Sequence, residues 1–309
     1  MRTLAVSWPA FLGVKLLIAK GSIVALVTPM FESGAIDWET LEALVEWHVA
    51  SGTKGVVPVG TTGESPTVTA DENCEIIRFV VERTAGRMSV IAGTGANSTS
   101  EAIEFTASAK KSGADACLLV TPYYNKPTQA GLVAHYSAIA AAVDLPQVLY
   151  NVPGRTSCDL LPDTVAQLMS VPQVIAIKEA TGSLERARDI RERCGDRIAI
   201  YSGDDETSCD LMLEGAAGTI SVTANVAPEA MAAMADAAVA GNDARAHQLD
   251  APLQALHKHL FVESNPIPVK WALSYMKRIP SGIRLPLTLL SEQFHADVVA
   301  ALREAGVVN

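Results

Sequence analysis

Val174-Ile175-Ala176-Ile177-Lys178-Glu179-Ala180-Thr181-Gly182 is the stretch on which the reading of this chain turns. Four apolar residues run unbroken up to the lysine. That is too short for an independent helix and suits a parallel strand covered on both faces. A charged ammonium at such a position costs several kcal/mol, and a lysine kept neutral by desolvation attacks carbonyls and forms Schiff bases. The same residues also suit a strand-end lysine that snorkels to solvent or pairs with a carboxylate. The stretch alone leaves both readings open.

Outward from it the same pattern recurs. Apolar, β-branched runs at 22–28, 55–59, 89–93, 116–121, 147–152, 174–178, 198–202 and 218–223 read as strands. Amphipathic stretches near 38–51, 70–86, 98–112, 128–142, 162–170, 183–194, 206–214 and 227–240 read as helices. Asp37 marks the start of the first helix, Ser98 with Glu101 predicts a capping box before the third, and Pro162 opens the fifth. Gly52, Gly113 and Gly195 close helices. Eight strands alternating with eight helices predict a (β/α)8 TIM barrel over residues 21–241. A doubly wound open sheet is the alternative, but no G-x-G-x-x-G follows the first strand. Past residue 241 the rhythm stops. Helical stretches near 243–262, 266–277 and 291–306, punctuated by Pro266, Pro268, Pro280 and Pro286, predict a C-terminal helical appendage over 242–309. Residues 1–20 lie outside the pattern. Lys15 interrupts their apolar run and no clear small-residue cleavage site follows, so they read as an N-terminal extension rather than a signal peptide.

Composition narrows the function. With 49% hydrophobic and 19% charged residues the chain can build a large core and is not a disordered protein. A net charge of −10 argues against nucleic acid or an anionic membrane as partner, while leaving room for a local site for a small acidic substrate. Cys74, Cys117, Cys158, Cys194 and Cys209 are odd in number and form no C-x-x-C, which points to free thiols in a reducing, cytoplasmic setting. No apolar run reaches the ~18 residues of a membrane span.

In such a barrel the chemistry sits at the C-terminal ends of the strands. Gly60-Thr61-Thr62-Gly63-Glu64-Ser65 follows the second strand. Its glycines let N–H groups converge and its hydroxyls add donors, which suits a carboxylate as well as a phosphate, although a plain βα turn fits too. Tyr150 stands at mouth height in the fifth strand, where a phenol can pass protons or simply pack. Arg155 on the same rim suits a bidentate pair with a carboxylate or a surface ion pair. Tyr123-Tyr124 sits in a proline-flanked loop, and Gly203-Asp204-Asp205 follows the seventh strand. His257 and His259, two apart on a helix, diverge and read as surface residues rather than metal ligands. No G-x-S-x-G elbow is present.

Gly60-Thr-Thr-Gly-Glu-Ser65, Thr121-Pro-Tyr-Tyr-Asn125, Tyr150-Asn-Val-Pro-Gly-Arg-Thr156, Ile177-Lys-Glu-Ala-Thr181 and Phe261-Val-Glu-Ser-Asn-Pro-Ile-Pro-Val-Lys-Trp271 together resemble the dihydrodipicolinate synthase family, from about Gly21 to the C-terminus. The wider superfamily, with N-acetylneuraminate lyase and keto-deoxy-sugar aldolases, shares the lysine and the strand-five tyrosine. Arg155 and the tyrosine pair favour the synthase. The resemblance implies a lyase of lysine and diaminopimelate biosynthesis that condenses pyruvate with L-aspartate-4-semialdehyde without metal or organic cofactor. It implies that Lys178 forms the Schiff base and that Thr61, Tyr150 and Tyr124 relay protons, Tyr124 reaching into a neighbouring subunit. Thr62 would hold the pyruvate carboxylate and Arg155 that of the semialdehyde, with Gly203 and Ile220 lining the pocket. It further implies a homotetramer, a dimer of dimers, and an L-lysine effector site at Ser65, Asn97, Glu101 and Tyr123. Pro66, Ala70 and Asn73 depart from the enterobacterial version of that site (alanine, histidine, histidine), so reduced lysine sensitivity is expected. A sugar-acid lyase and a non-catalytic binding barrel are the competing readings; loss of Lys178 or Tyr150 would have marked the latter, and both are present.

Overall fold

The computed structural model describes residues 18–309; most of the predicted N-terminal extension, 1–17, lies outside them. Eight parallel strands close into a barrel in sequence order: β1 Gly21–Ala25, β2 Gly55–Val57, β3 Ser89–Gly93, β4 Ala116–Val120, β5 Gln147–Asn151, β6 Val174–Glu179, β7 Ala199–Ser202 and β8 Gly218–Ser221. The helices between them are α1 Trp38–Ala50, α2 Ala70–Thr84, α3 Thr99–Ser112, α4 Gln129–Ala142, α5 Pro153–Thr156, α6 Pro162–Leu168, α7 Leu184–Cys194, α8 Ser208–Leu213 and α9 Pro228–Val239. Four more follow: α10 Asp243–Asp250, α11 Gln254–His259, α12 Ile267–Tyr275 and α13 His295–Glu304. The (β/α)8 expectation therefore holds. The four-residue α5 is an addition that no periodicity foretold.

Two cores follow from strand parity. Ile23, Ala25, Val57, Ile91, Ala116, Leu118, Val148, Tyr150, Ala176, Tyr201 and Ile220 fill the barrel interior. Their alternating neighbours, such as Val24, Val56, Leu119, Leu149, Ile177 and Ile200, pack outward under the helices. Burial on both faces is why the strands read as continuous apolar runs. Residues 18 and 19 close the far end of the barrel: Ile18 is buried, and the Tyr201 hydroxyl donates toward the Ile18 and Ala19 carbonyls at 3.4 and 3.2 Å.

Most helix signals act as read. The Asp37 carboxylate accepts from Thr40 N at 3.0 Å, and Gly113 ends α3 in the left-handed region. The Ser98–Glu101 capping box does not form. Ser98 Oγ pairs instead with the neighbouring Ser100 Oγ at 2.9 Å and makes no bond to the helix N–H groups. A capping box does form one helix earlier, where Thr69 and Glu72 exchange side-chain-to-backbone bonds of 3.2 and 2.8 Å.

Two histidines are buried as neutral rings. His48 lies against Thr53 Oγ1 at 3.1 Å, and burial pushes it down to about 3 from 6.5. His135 lies against Thr99 Oγ1 at 2.9 Å and is pushed down to about 4. Below the ordinary value of 6.5 the unfolded chain takes up protons that the folded chain refuses, so stability is complete above that pH and is lost as pH falls. We expect the Tm to drop between about pH 7.5 and pH 4.5, with a shallower fall in His48→Gln, although that variant starts from a lower Tm. Parallel slopes for variant and wild type in calorimetry would exclude His48 as a source of the acid sensitivity.

Candidate active site

Lys178 points into the barrel because it shares its parity with Ala176. The parallel ladder places it level with Tyr150 on one side and Tyr201 on the other. Its Nζ lies 4.3 Å from the centroid of the Tyr150 ring. The side chain is 5% exposed and makes no hydrogen bond or ion pair among the described residues. No carboxylate neutralises this amine, which answers one of the two alternatives left open by the sequence. The space beside it depends on Gly203, where a Cβ would stand 2.8 Å from Lys178 Cε and 2.6 Å from Ala180 Cβ.

A cavity of about 330 Å³ opens over the lysine. Thr62, Tyr150, Arg155, Gly203 and the 204–206 turn contribute to its wall, as do His257, Lys258, Phe261 and Asn265 beyond the barrel. Arg155 is exposed and forms no ion pair among the described residues. Thr61 lines a separate void of about 20 Å³ that it shares with Tyr150, Ser65 and Gly95. Tyr150 thus stands between the lysine cavity and Thr61. Ile220 is buried in the barrel interior with Tyr150 and Tyr201. Tyr124 is not brought to Lys178 within the chain: it is 89% exposed and left-handed at φ 73°.

The Gly60–Ser65 loop is strained and pinned. Val59 adopts φ 53°, a conformation that costs a β-branched residue dearly. It fits because Gly63 and Gly93 have no Cβ; one at Gly93 would lie 2.2 Å from Val59 O. Turns inside the loop consume the N–H groups of Gly63, Glu64 and Ser65. Those of Thr61 and Thr62 donate to nothing among the described residues, so the loop keeps two free donors as an anion site needs. Glu64, 1% exposed, receives the Lys270 ammonium on Oε1 and the Arg284 N–H at 3.1 Å on Oε2. The Arg284 guanidinium grips Glu72 at 2.6 and 2.7 Å and holds its carboxyl down at about 2.

Sequence reasoning missed several of these residues. Glu64, Lys270 and Asn265 sit inside motifs that were quoted, but nothing local distinguished them. His257 is a correction. It is 2% exposed, with Nδ1 2.9 Å from Thr223 Oγ1 and Nε2 3.3 Å from Asp250 Oδ1. Helix geometry separates it from His259 as expected, but the barrel's eighth loop covers it. Asp205 is likewise structural, its Oδ2 accepting from Val222 N and Thr223 N at 2.9 and 2.8 Å. Among the described residues no cluster of His, Cys, Asp and Glu could hold a metal ion.

Residues 18–305 match the model of the dihydrodipicolinate synthetase family. The chain belongs to that family. It is 60% identical over 290 residues to the 4-hydroxy-tetrahydrodipicolinate synthase of Alcanivorax borkumensis, covering 94% of this chain and 99% of the relative. The enzyme of the same name from Methylococcus capsulatus is 59% identical, with coverages of 94% and 99%. Among solved structures, the chloride-inhibited dihydrodipicolinate synthase of Acinetobacter baumannii, complexed with pyruvate, superposes with a TM-score of 0.92 at 53% identity, over 94% of this chain and 99% of that one. The family member from Cyanidioschyzon merolae with lysine bound gives 0.90 at 39% identity, over 94% and 99%.

The steric demand at Gly203 yields a test. Gly203→Ala must push the Lys178 side chain aside and crowd Ala180, so it should lower kcat/KM on the order of 10²-fold and also lower the Tm, by an overpacking cost of about 1–3 kcal/mol. Wild-type kinetics in that variant would show that the lysine tolerates displacement.

Proposed function

We infer that the chain catalyses the condensation of pyruvate with L-aspartate-4-semialdehyde to 4-hydroxy-tetrahydrodipicolinate, a lyase reaction of lysine biosynthesis. The observation that carries this reading is the unpaired, buried Lys178 amine against the Tyr150 ring, in one cavity with Thr62 and Arg155. The high identity to named synthases favours it over a sugar-acid lyase.

Each residue's part follows from its chemistry. The Lys178 amine attacks the pyruvate carbonyl and, with loss of water, becomes an iminium. That cation draws electrons from the methyl group, a proton leaves, and the resulting enamine attacks the aldehyde carbon; the semialdehyde's amino group then adds to the regenerated iminium carbon, closing the ring and releasing the Lys178 amine. Every step moves a proton, and Tyr150, between Lys178 and Thr61, is the group placed to carry it. The free N–H groups at Thr61 and Thr62 with the Thr62 hydroxyl receive the pyruvate carboxylate. Arg155, at the open rim, receives the carboxylate of the semialdehyde. Tyr124, projecting from the surface, completes the relay in a second copy of the chain, within a tetramer built as a dimer of dimers. The five unpaired cysteines suit a cytoplasmic setting, and no helix among the described residues is long and apolar enough to cross a membrane.

Incubation with pyruvate and borohydride should attach a reduced pyruvyl group to the peptide containing Lys178; mass spectrometry finding no adduct would sink the reading. Tyr124 is tested by mixing. Lys178→Ala and Tyr124→Phe subunits, each nearly inactive alone, should recover activity when reassembled together, since one site in the mixed dimer has both residues. No recovery would place Tyr124 outside its neighbour's site.

Ser65, Asn97, Glu101 and Tyr123 form the proposed lysine site. Partial burial, and after it the Glu101 charge, push the Tyr123 phenol up. Asn73 faces inward: it is buried and its amide donates to Gly93 O at 3.4 Å. Unchanged activity from micromolar to millimolar lysine would fit the reduced sensitivity expected, whereas strong micromolar inhibition would overturn it.

A further inference from the structure

Asn265 lies in the turn between α11 and α12, outside the barrel's own strand–loop units. It is 6% exposed, and its Nδ2 donates to Thr62 Oγ1 at 3.0 Å across 203 residues of sequence. Both residues line the lysine cavity. A threonine hydroxyl has one proton and two lone pairs. With one lone pair engaged by the Asn265 amide, the proton must point away from Asn265. It meets no acceptor among the described residues. The neighbouring N–H groups of Thr61 and Thr62 are free as well. Three donors without a partner among the described residues thus sit on the two adjacent loop residues where the proposed reading, on which this inference rests, puts the pyruvate carboxylate.

The loop is held independently of Asn265. Glu64 is bonded to Lys270 and to the Arg284 N–H, and Thr28 Oγ1 donates to Gly63 O at 2.7 Å. The bond from Asn265 is not needed to keep the loop in place. It costs something to maintain, because Asn265 Oδ1 is buried with no partner among the described residues. A buried amide with one end unpaired is a poor stabilising device and calls for another reason.

We propose that Asn265 is a positioning residue: by donating to Thr62 Oγ1 it turns the threonine proton toward the substrate carboxylate, so that a segment beyond the barrel sets the affinity of the pyruvate site. Asn265→Asp reverses the bond. The new carboxylate accepts the Thr62 proton, removes a donor from the anion site and adds a negative charge beside it. The KM for pyruvate should rise about tenfold or more, and borohydride trapping at Lys178 should need correspondingly more pyruvate, while the KM for the semialdehyde changes less than about twofold. Asn265→Ala should give a smaller rise of the same kind and, if the aspartate variant fails to fold, serves in its place. In a Thr62→Val background Asn265→Ala should have no further effect on pyruvate, because the group it orients is gone. Equal rises for both substrates, or additive effects in the double variant, would overturn the proposal and leave Asn265 a packing residue. If wild type is trapped at Lys178 and the Asn265 variants match it, the proposal alone falls. If wild type is not trapped, the Schiff-base reading falls first.

Discussion

A closed parallel ladder allows each strand residue only one of two directions, and the site hangs on that constraint. Ala176 packs inside the barrel, so Lys178 must also point inside, while Ile177 and Glu179 face the helices. The ladder sets Lys178 level with Tyr150. Its side-chain stem passes Gly203, and its nitrogen comes to rest against the tyrosine ring. A slip of one residue would turn the lysine out among the helices and bury Glu179 in the barrel. Burial of the lysine, its lack of an ion partner and its contact with a phenol are all consequences of register.

The second half of the site is built differently. The loop after β2 has strained backbone at Val59 and Glu64, with φ of 53° and 59°. Strain of this kind persists only where surroundings over-determine it. Here they do: glycines at 63 and 93 make room, and charges from the C-terminal helices clamp Glu64. A buried ion pair such as Glu64–Lys270 adds little net stability over apolar packing, since desolvation offsets much of the attraction. Its value is in fixing one loop geometry, in which the Thr61 and Thr62 N–H groups have no partner among the described residues. The region past residue 241 is therefore joined to the chemistry through Asn265, Lys270 and Arg284, and also through His257, which bridges Asp250 and the loop after β8.

The contrast between Ser98 and Thr69 shows how far local patterns carry. Both satisfy the same S/T-x-x-E spacing. One forms the capping box, and the other gives its hydroxyl to Ser100. The difference between the two ends is a few tenths to ~1 kcal/mol, small enough for neighbours to decide. His257 was misjudged for a related reason. Its angular relation to His259 was legible, but which side of α11 meets the barrel was not.

Much of this protein was nevertheless determined by the sequence alone. Period-2 and period-3.6 apolar patterning is a local property, so eight strands, their alternating helices and their number were readable, and eight in alternation closes a barrel. Strand ends carry the chemistry in that fold, which picked out Lys178, Tyr150, the Gly60–Ser65 loop and Arg155 before any geometry was known. Only the tertiary structure decided which groups are left without partners. The amine of Lys178, the N–H groups of Thr61 and Thr62 and the hydroxyl proton of Thr62 are available because other donors and acceptors found partners elsewhere. Those partners, such as Asn265 for Thr62 and Lys270 for Glu64, lie more than two hundred residues away, a distance across which no local periodicity carries information.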